Sequence, residues 1–284
     1  TRTPLFCLII AGLINVFLNI FFIRAFHMTA DGVALATVIS NGISALLMFL
    51  VLLRSDGLIR VRFRDFRIDR QLAKQMLQIG LPAGLQAMDF SLSNIIVQSS
   101  INSLGADIMA ASSAAFNVEI LAYFIVNAFG QACTTFIGQN VGAGQRDRCR
   151  KVFGIALALA LLLGMAVCGV LIATRYPVLS LFNKKESVIS YGAVRLIFIL
   201  AAYPLNILIE LFSGCMRGFG YSLVPALICI FGICGSRIIW VSTYFRAHHT
   251  FMALMAVYPF SWIVTAAILV VSYLILRNRF YAIP

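Results

Sequence analysis

Charge is scarce in this chain. Of its 284 residues only 11% are charged, and acids number ten, where soluble domains carry about 25% charged residues. An ordinary soluble fold is therefore excluded. Histidines number three; His27, His248 and His249 lie in connections between apolar runs, far from any Ser or Cys in a nucleophile setting. No GxxxxGK[ST] segment is present, which excludes a phosphate-cradling loop and ATP hydrolysis by this chain. The seven cysteines are odd in number, contain no CxxC pair and fall mostly in apolar runs; they read as small buried thiols, so neither a metal site nor a disulfide framework is expected. Alternating segments of about ten residues, the mark of a membrane β-barrel, are missing. The net charge of +12 is not gathered into a basic groove, so nucleic acid is not an expected partner. There is no cleavable signal pattern, and the chain begins on Thr1 rather than Met, from which it is expected to be a piece of a longer protein. No enzyme activity and no cofactor are expected.

What is abundant is apolar sequence: 61% of residues, with a mean hydropathy of +0.96. The apolar residues come in runs of roughly 19 to 25, the length that spans a bilayer as helix. The expected fold class is thus an all-α integral membrane bundle, multi-pass in a cell membrane. Hydropathy places eight spans near 4–23, 33–53, 76–100, 115–137, 152–174, 188–212, 221–244 and 252–276. Fifteen Lys and Arg fall on one side of these spans and seven on the other, counting Arg195 and Arg237 as helix-end residues of the second group. The positive-inside rule then puts both termini of this chain in the cytoplasm. The polar stretch 54–74, rich in Arg, reads as a charged cytoplasmic linker. Ile79-Gly80-Leu81-Pro82-Ala83-Gly84 reads as a bent or loosened helix start.

A charge at the bilayer centre costs about 2.5–3.5 kcal/mol on insertion scales, so an acid there is a candidate for function. Three acids qualify: Asp89, Glu119 and Glu210. Uncharged polar residues accompany them at Asn15, Asn19, Asn94, Gln98, Asn102, Asn127, Gln131 and Asn206. Asn94 and Gln98 are four apart, as are Asn206 and Glu210, so each pair shares a helix face. A carboxamide and a carboxylate one turn apart suit a water-filled cavity where a carboxylate exchanges a proton or holds a cation. The alternative for Glu210 is an ion pair with Arg237 or Arg195 on a neighbouring span. Glu119, toward the outer end of its span, reads equally as a cap or interfacial group.

The segment Gly138-Gln139-Asn140-Val141-Gly142-Ala143-Gly144, followed by Arg146, Arg148, Arg150 and Lys151, reads as a tight cytoplasmic hairpin. It resembles the hairpin of the multidrug and toxic compound extrusion (MATE) family in that family's C-terminal lobe. Four other stretches agree in order: Leu13–Ile23, Asp31–Ser40, IGLPAGLQ at 79–86, and Arg217-Gly218-Phe219-Gly220. The resemblance covers nearly the whole chain. It implies a two-lobe bundle of twelve spans, of which this chain matches helices five to twelve. Residues 1–53 would close the N-terminal lobe, 54–75 would link, and 76–284 would form the six-helix C-terminal lobe. It implies a monomeric transporter exporting organic cations or amphiphilic drugs in exchange for Na⁺ or H⁺, the lobes rocking between inward- and outward-open states. The chain departs from the pattern at two places. Asn19 stands where one branch has an aspartate, and Phe90 stands where others have a glutamate, with Asp89 one residue earlier and about 100° around the helix. The tenth-helix acid of those branches corresponds to Asn206, with Glu210 one turn later. Two alternatives stay open, a lipid-linked oligosaccharide flippase of the same superfamily and a non-transporting membrane remnant. Such flippases carry cationic cavities, whereas the buried charges expected here are mostly acidic, which favours the exporter.

Overall fold

A computed structural model describes residues 2–54 and 69–281, with side chains for all of these but Arg2, Asp89, Phe90 and Tyr281. The chain divides into two compact units, Thr1–Asp69 and Arg70–Pro284. Among the described residues no strand occurs, and seven helical stretches are long and apolar enough to cross a membrane.

The first unit is a helical hairpin of α1 (Arg2–Ala25) and α2 (Ala30–Arg54). Small buried residues let the helices approach: Ala11 on α1, and Gly32, Ala36 and Ser40 on α2. At Gly32 an added Cβ would stand 2.7 Å from the Met28 side chain. Polar groups then cross the seam, where lipid offers no alternative partner. Asn15 Nδ2 donates to Ser40 Oγ at 3.1 Å, and Asn19 Nδ2 donates to Asn15 Oδ1 at 3.1 Å.

The second unit opens with α3 (Arg70–Asn102). This helix begins inside the stretch expected to be linker, so residues 70–75 belong to the helix; the rest of the linker, 55–68, lies outside the described residues. It also runs unbroken through Gly80-Leu81-Pro82-Ala83-Gly84, where a loosened start was expected. Its amides and charges keep it from counting among the seven apolar stretches, although the third expected span lies within it. The chain continues through α4 (Ala106–Gly142), α5 (Arg146–Ala173), the short α6 (Arg175–Ser180) and α7 (Glu186–Gly218). The next span is interrupted twice: α8 (Leu223–Cys229), a π-helical segment Ile230–Gly235, α9 (Ser236–Trp240) and a second π-helical segment Val241–Phe245. Ser236 Oγ contributes to the first interruption by bonding back to the Gly232 and Ile233 carbonyls, a habit of Ser in helices that bends them. Last come α10 (Phe251–Met255) and α11 (Val257–Tyr281).

Helices α4 and α7 cross at close range. Gly130, Thr134 and Gly138 on α4, four apart, meet Glu210, Gly214 and Gly218 on α7, also four apart. An added Cβ on Gly214 would lie 2.7 Å from the Gly130 carbonyl oxygen, and one on Gly218 would lie 2.8 Å from the Ile137 side chain. Thr134 Oγ1 sits 3.0 Å from the carbonyls of both Gly130 and Gly214. Without a hydrophobic drive between helices in lipid, such close backbone approach is what associates them.

The glycine-rich segment after this crossing is not the loop that the sequence suggests. Gly138, Gln139, Asn140 and Gly142 are helical, and the turn is confined to Ala143, Gly144 and Gln145. Gly144 has φ +70, its N–H bonds the Val141 carbonyl, and Gln145 N–H bonds the Asn140 carbonyl at 2.8 Å. This is a Schellman ending, which favours glycine because the position is left-handed. Helix α7 ends the same way at Gly220, φ +88, with Tyr221 N–H reaching the Met216 carbonyl.

Candidate functional site

Two stripes of side chains face each other across the α4–α7 crossing. On α4 they are Gln131, Asn127, Tyr123, Glu119, Phe116 and Ser112, at intervals of three or four, the spacing that keeps residues on one helix face. On α7 they are Arg217, Glu210, Asn206, Tyr203, Ile199 and Arg195, in the same register but for one step of two turns. From Gln131 to Ser112 the stripe rises roughly 28 Å at 1.5 Å per residue, close to the thickness of a hydrocarbon core. Three cavities lie along it.

The first cavity, about 320 Å³, lies near the Gly142 end and is lined by Gln86, Asn127, Gln131, Asn206, Glu210 and Arg217 among others. Glu210 lies flat against α4: an added Cβ on Gly130 would stand 3.3 Å from Glu210 Oε2. Its Oε2 is 3.9 Å from Arg217 Nη2. Arg217 is itself held by donating from Nη1 to Gln86 Oε1 at 2.9 Å, and Gln86 Nε2 reaches Cys229 Sγ at 3.1 Å. Asn206 is 7% exposed, and its Oδ1 has no protein partner. Carboxylate and carboxamide oxygens of this kind are ligands for a hard cation, and the carboxylate is also a proton acceptor.

The second cavity, about 100 Å³, holds Glu119, Arg195, Arg237, Tyr258 and Trp262. Arg195 Nε and Nη2 donate to Glu119 Oε1 and Oε2 at 2.8 and 3.1 Å, the two-pronged geometry that suits guanidinium and carboxylate. Arg237 donates to Asn94 Oδ1 at 3.1 Å, and its Cζ lies 4.7 Å from the centre of the Tyr258 ring. The third cavity, about 400 Å³, adjoins the second through Arg195, Tyr258, Asn94 and Phe116, and adds Gln98, Ser112 and Asn117.

Several expectations change. Glu119 is neither a cap nor interfacial; it is buried within α4 and paired with Arg195. Arg195 and Arg237, counted as helix-end cations, are 4% and 0% exposed. Glu210 pairs with neither; its cationic neighbour is Arg217. The buried charges are therefore not mostly acidic. Of the candidates, Asn127, Gln131, Asn206 and Glu210 share the first cavity, while Asn94 and Gln98 line the third. The Asp89 side chain lies outside the described residues. Sequence reasoning overlooked Gln86, Tyr123 and Arg217. Arg217 sits seven residues after Glu210, two helical turns along the same face, a spacing that could have flagged it.

Comparison with known proteins bears on this arrangement. The MatE family model matches residues 82–242, which span α3 from Pro82 to the second π-helical segment and so include most of the three cavities. The chain belongs to the MATE family. It is similar to the probable multidrug resistance protein YoeA of Bacillus subtilis, 28% identical over 99% of this chain and 61% of that protein. It is also 28% identical to the probable multidrug resistance protein NorM of Neisseria meningitidis, over 77% of this chain and 49% of NorM. A protein of Shewanella oneidensis named as a FAD transporter is 28% identical over 74% of this chain and 47% of its own length. The chain thus spans about half to three fifths of these relatives. Among solved structures, an outward-facing MATE multidrug resistance transporter superposes with a TM-score of 0.84 at 20% identity, covering 97% of this chain and 61% of that one. A Pyrococcus furiosus transporter of the MOP superfamily, described as having a binding pocket of reversed polarity, gives 0.85 at 20% identity, over 98% and 62%. At that identity the likeness is one of fold, and the fold is that of a MATE-like membrane bundle. MATE proteins are transporters, not enzymes.

Proposed function

We propose that the full-length protein is a secondary active efflux transporter, exporting organic cations or amphiphilic drugs in exchange for Na⁺ or H⁺ by rocking of two lobes. The observation that carries this reading is the first cavity: Glu210 and Asn206, whose Oδ1 has no protein partner, line one space, a helical turn apart. A carboxylate there takes a proton or Na⁺ in one state and yields it in the other, and a cationic cargo competes for the same charge. The names of the relatives support multidrug export. In this reading α1 and α2 complete the N-terminal lobe, and the second unit, from Arg70 on, forms the C-terminal lobe. With Arg195 and Arg237 buried, only five cations remain on the sparse side, which supports placing both termini of the chain in the cytoplasm.

The flippase reading gains support from Arg195 and Arg237, since a cationic cavity suits a phosphate-bearing cargo; the FAD transporter among the relatives fits the same chemistry. Counterflow in proteoliposomes of the full-length protein separates the readings. A fluorescent organic cation is loaded, and inward Na⁺ and H⁺ gradients are imposed in turn. Efflux that follows one gradient and is lost in Glu210→Gln is the expected result. Absence of efflux under either gradient from folded protein would overturn the reading.

A further inference from the structure

Arg217 stands two turns beyond Glu210 on one face of α7, so a change of rotamer alone would bring its guanidinium onto the carboxylate. The contact does not close. Arg217 Nη2 is 3.9 Å from Glu210 Oε2, whereas a charge-assisted bond of this kind is about 2.7–2.9 Å long. The two side chains are only 14% and 19% exposed, so water offers little competition for a closed pair. The short bond of Arg217 runs instead to α3, from Nη1 to Gln86 Oε1 at 2.9 Å. A guanidinium only donates, so the Gln86 amide must turn its oxygen to Arg217 and its nitrogen away. That nitrogen meets Cys229 Sγ of α8 at 3.1 Å. Gln86 is thus held at both ends, and it holds the guanidinium back from the acid. One turn before Glu210, Asn206 Oδ1 has no protein partner.

We infer that Gln86 is a positioning residue that sets the affinity of Glu210 for the coupling cation by holding Arg217 off it. The inference rests on the transport reading, in which Glu210 takes the cation, and adds to it a residue of α3 that acts only through Arg217. A guanidinium in contact with Glu210 occupies the oxygen that Na⁺ or a proton needs. One that is held back leaves that oxygen open. At an effective dielectric of about 20, closing the pair from 3.9 Å to about 2.8 Å strengthens it roughly tenfold in equilibrium constant. Guanidinium and cation compete for one carboxylate, so the same factor is lost from the apparent affinity for the cation.

The test is efflux of a fluorescent organic cation from proteoliposomes of the full-length protein. External Na⁺ concentration and external pH are varied in turn to find the half-saturating level of the driving cation. Gln86→Leu removes the acceptor and should raise that level about tenfold, which for a proton is a shift of about one unit to lower pH. The same shift is expected of Gln86→Met, which keeps the test open where Gln86→Leu does not fold. Gln86→Glu keeps an acceptor for Arg217 and should hold the level at or below that of the wild type. In an Arg217→Gln background, Gln86→Leu should no longer move it. A half-saturating level does not depend on the amount of folded protein, so a merely structural role for Gln86 would not produce this pattern. An unshifted level in Gln86→Leu and Gln86→Met, or a shift that survives Arg217→Gln, would overturn the inference and leave the transport reading standing. Absence of efflux by folded wild-type protein under either gradient would overturn the transport reading, and the inference with it.

Discussion

The pair of Glu119 and Arg195 allows a sharp energetic test. Both side chains are buried, and together they make two short charge-assisted bonds across α4 and α7. Removing one partner of a buried pair leaves a desolvated charge and costs about 3–5 kcal/mol. Glu119→Gln and Arg195→Gln should therefore each destabilise the protein by about 3 kcal/mol or more. Replacing both leaves two amides able to bond one another, with no stranded charge, and should cost only about 1–2 kcal/mol, since neutral replacements of buried pairs are often close to isoenergetic. The double-mutant cycle then has a coupling near 4 kcal/mol, far above the roughly 0.5 kcal/mol expected of independent sites. The assay is reversible SDS unfolding of full-length protein in bicelles, followed by tryptophan fluorescence; Trp262 lines the same cavity. Additive single effects, with the double variant near 6 kcal/mol, would refute the pairing.

Other expectations follow from the same geometry. Gly214→Ala would drive a methyl into the Gly130 carbonyl oxygen, a backbone atom that cannot step aside, and should cost about 1–3 kcal/mol as overpacking does; Gly142→Ala, where a Cβ meets nothing within 4 Å, should be neutral or slightly stabilising in the same unfolding assay. Gly144→Val places a branched side chain at φ +70 and should lose about 1–2 kcal/mol, seen as a lower thermal midpoint. Arg217→Gln removes the guanidinium 3.9 Å from Glu210, a built-in competitor for any cation there, and should tighten binding of the coupling cation several-fold in equilibrium titrations; unchanged or weaker binding would place Glu210 outside the cation site.

What was legible in the sequence was whatever depends on one helix at a time. Span positions came from runs of apolar residues, and the shared face of Asn206 and Glu210 came from a four-residue interval. Partners across helices were not legible. Glu119 and Arg195 are 76 residues apart, and nothing local distinguishes a cation buried by α4 from one at a helix end. Arg195 and Arg237 look like topology signals in the sequence because cations in membrane proteins usually are. Asn94 and Gln98, four apart, do line one cavity, but their bonding partners were not legible: Asn94 accepts from Arg237 and Gln98 donates to Asn102. The glycines near 138–144 misled for a related reason. Glycine serves both turns and close helix contacts, and only the neighbour decides which: Gly138 faces the Gly218 carbonyl of α7, whereas Gly144 caps α4.

Tyr123 ties the two halves of the site together. Among the described lining residues it alone borders both the first and the second cavity, one turn from Asn127 on one side and one turn from Glu119 on the other. Its hydroxyl accepts from Asn127 Nδ2 at 3.4 Å, so the ring's position is linked to the wall of the cavity that holds Glu210. Cation arrival at Glu210 and Asn206 that draws Asn127 inward would move the ring, and with it the floor of the cavity beside Arg195. If one ligand binds at Glu210 and another in the second cavity, linkage requires each to change the other's affinity by the same factor. Tyr123→Phe keeps the ring and removes the acceptor. It should leave each ligand's separate affinity within about threefold while abolishing any change in one caused by the other, read from paired titrations in full-length protein. Coupling that persists in Tyr123→Phe would assign the connection to the facing α7 residues, Tyr203 and Asn206, three residues apart on the opposite wall.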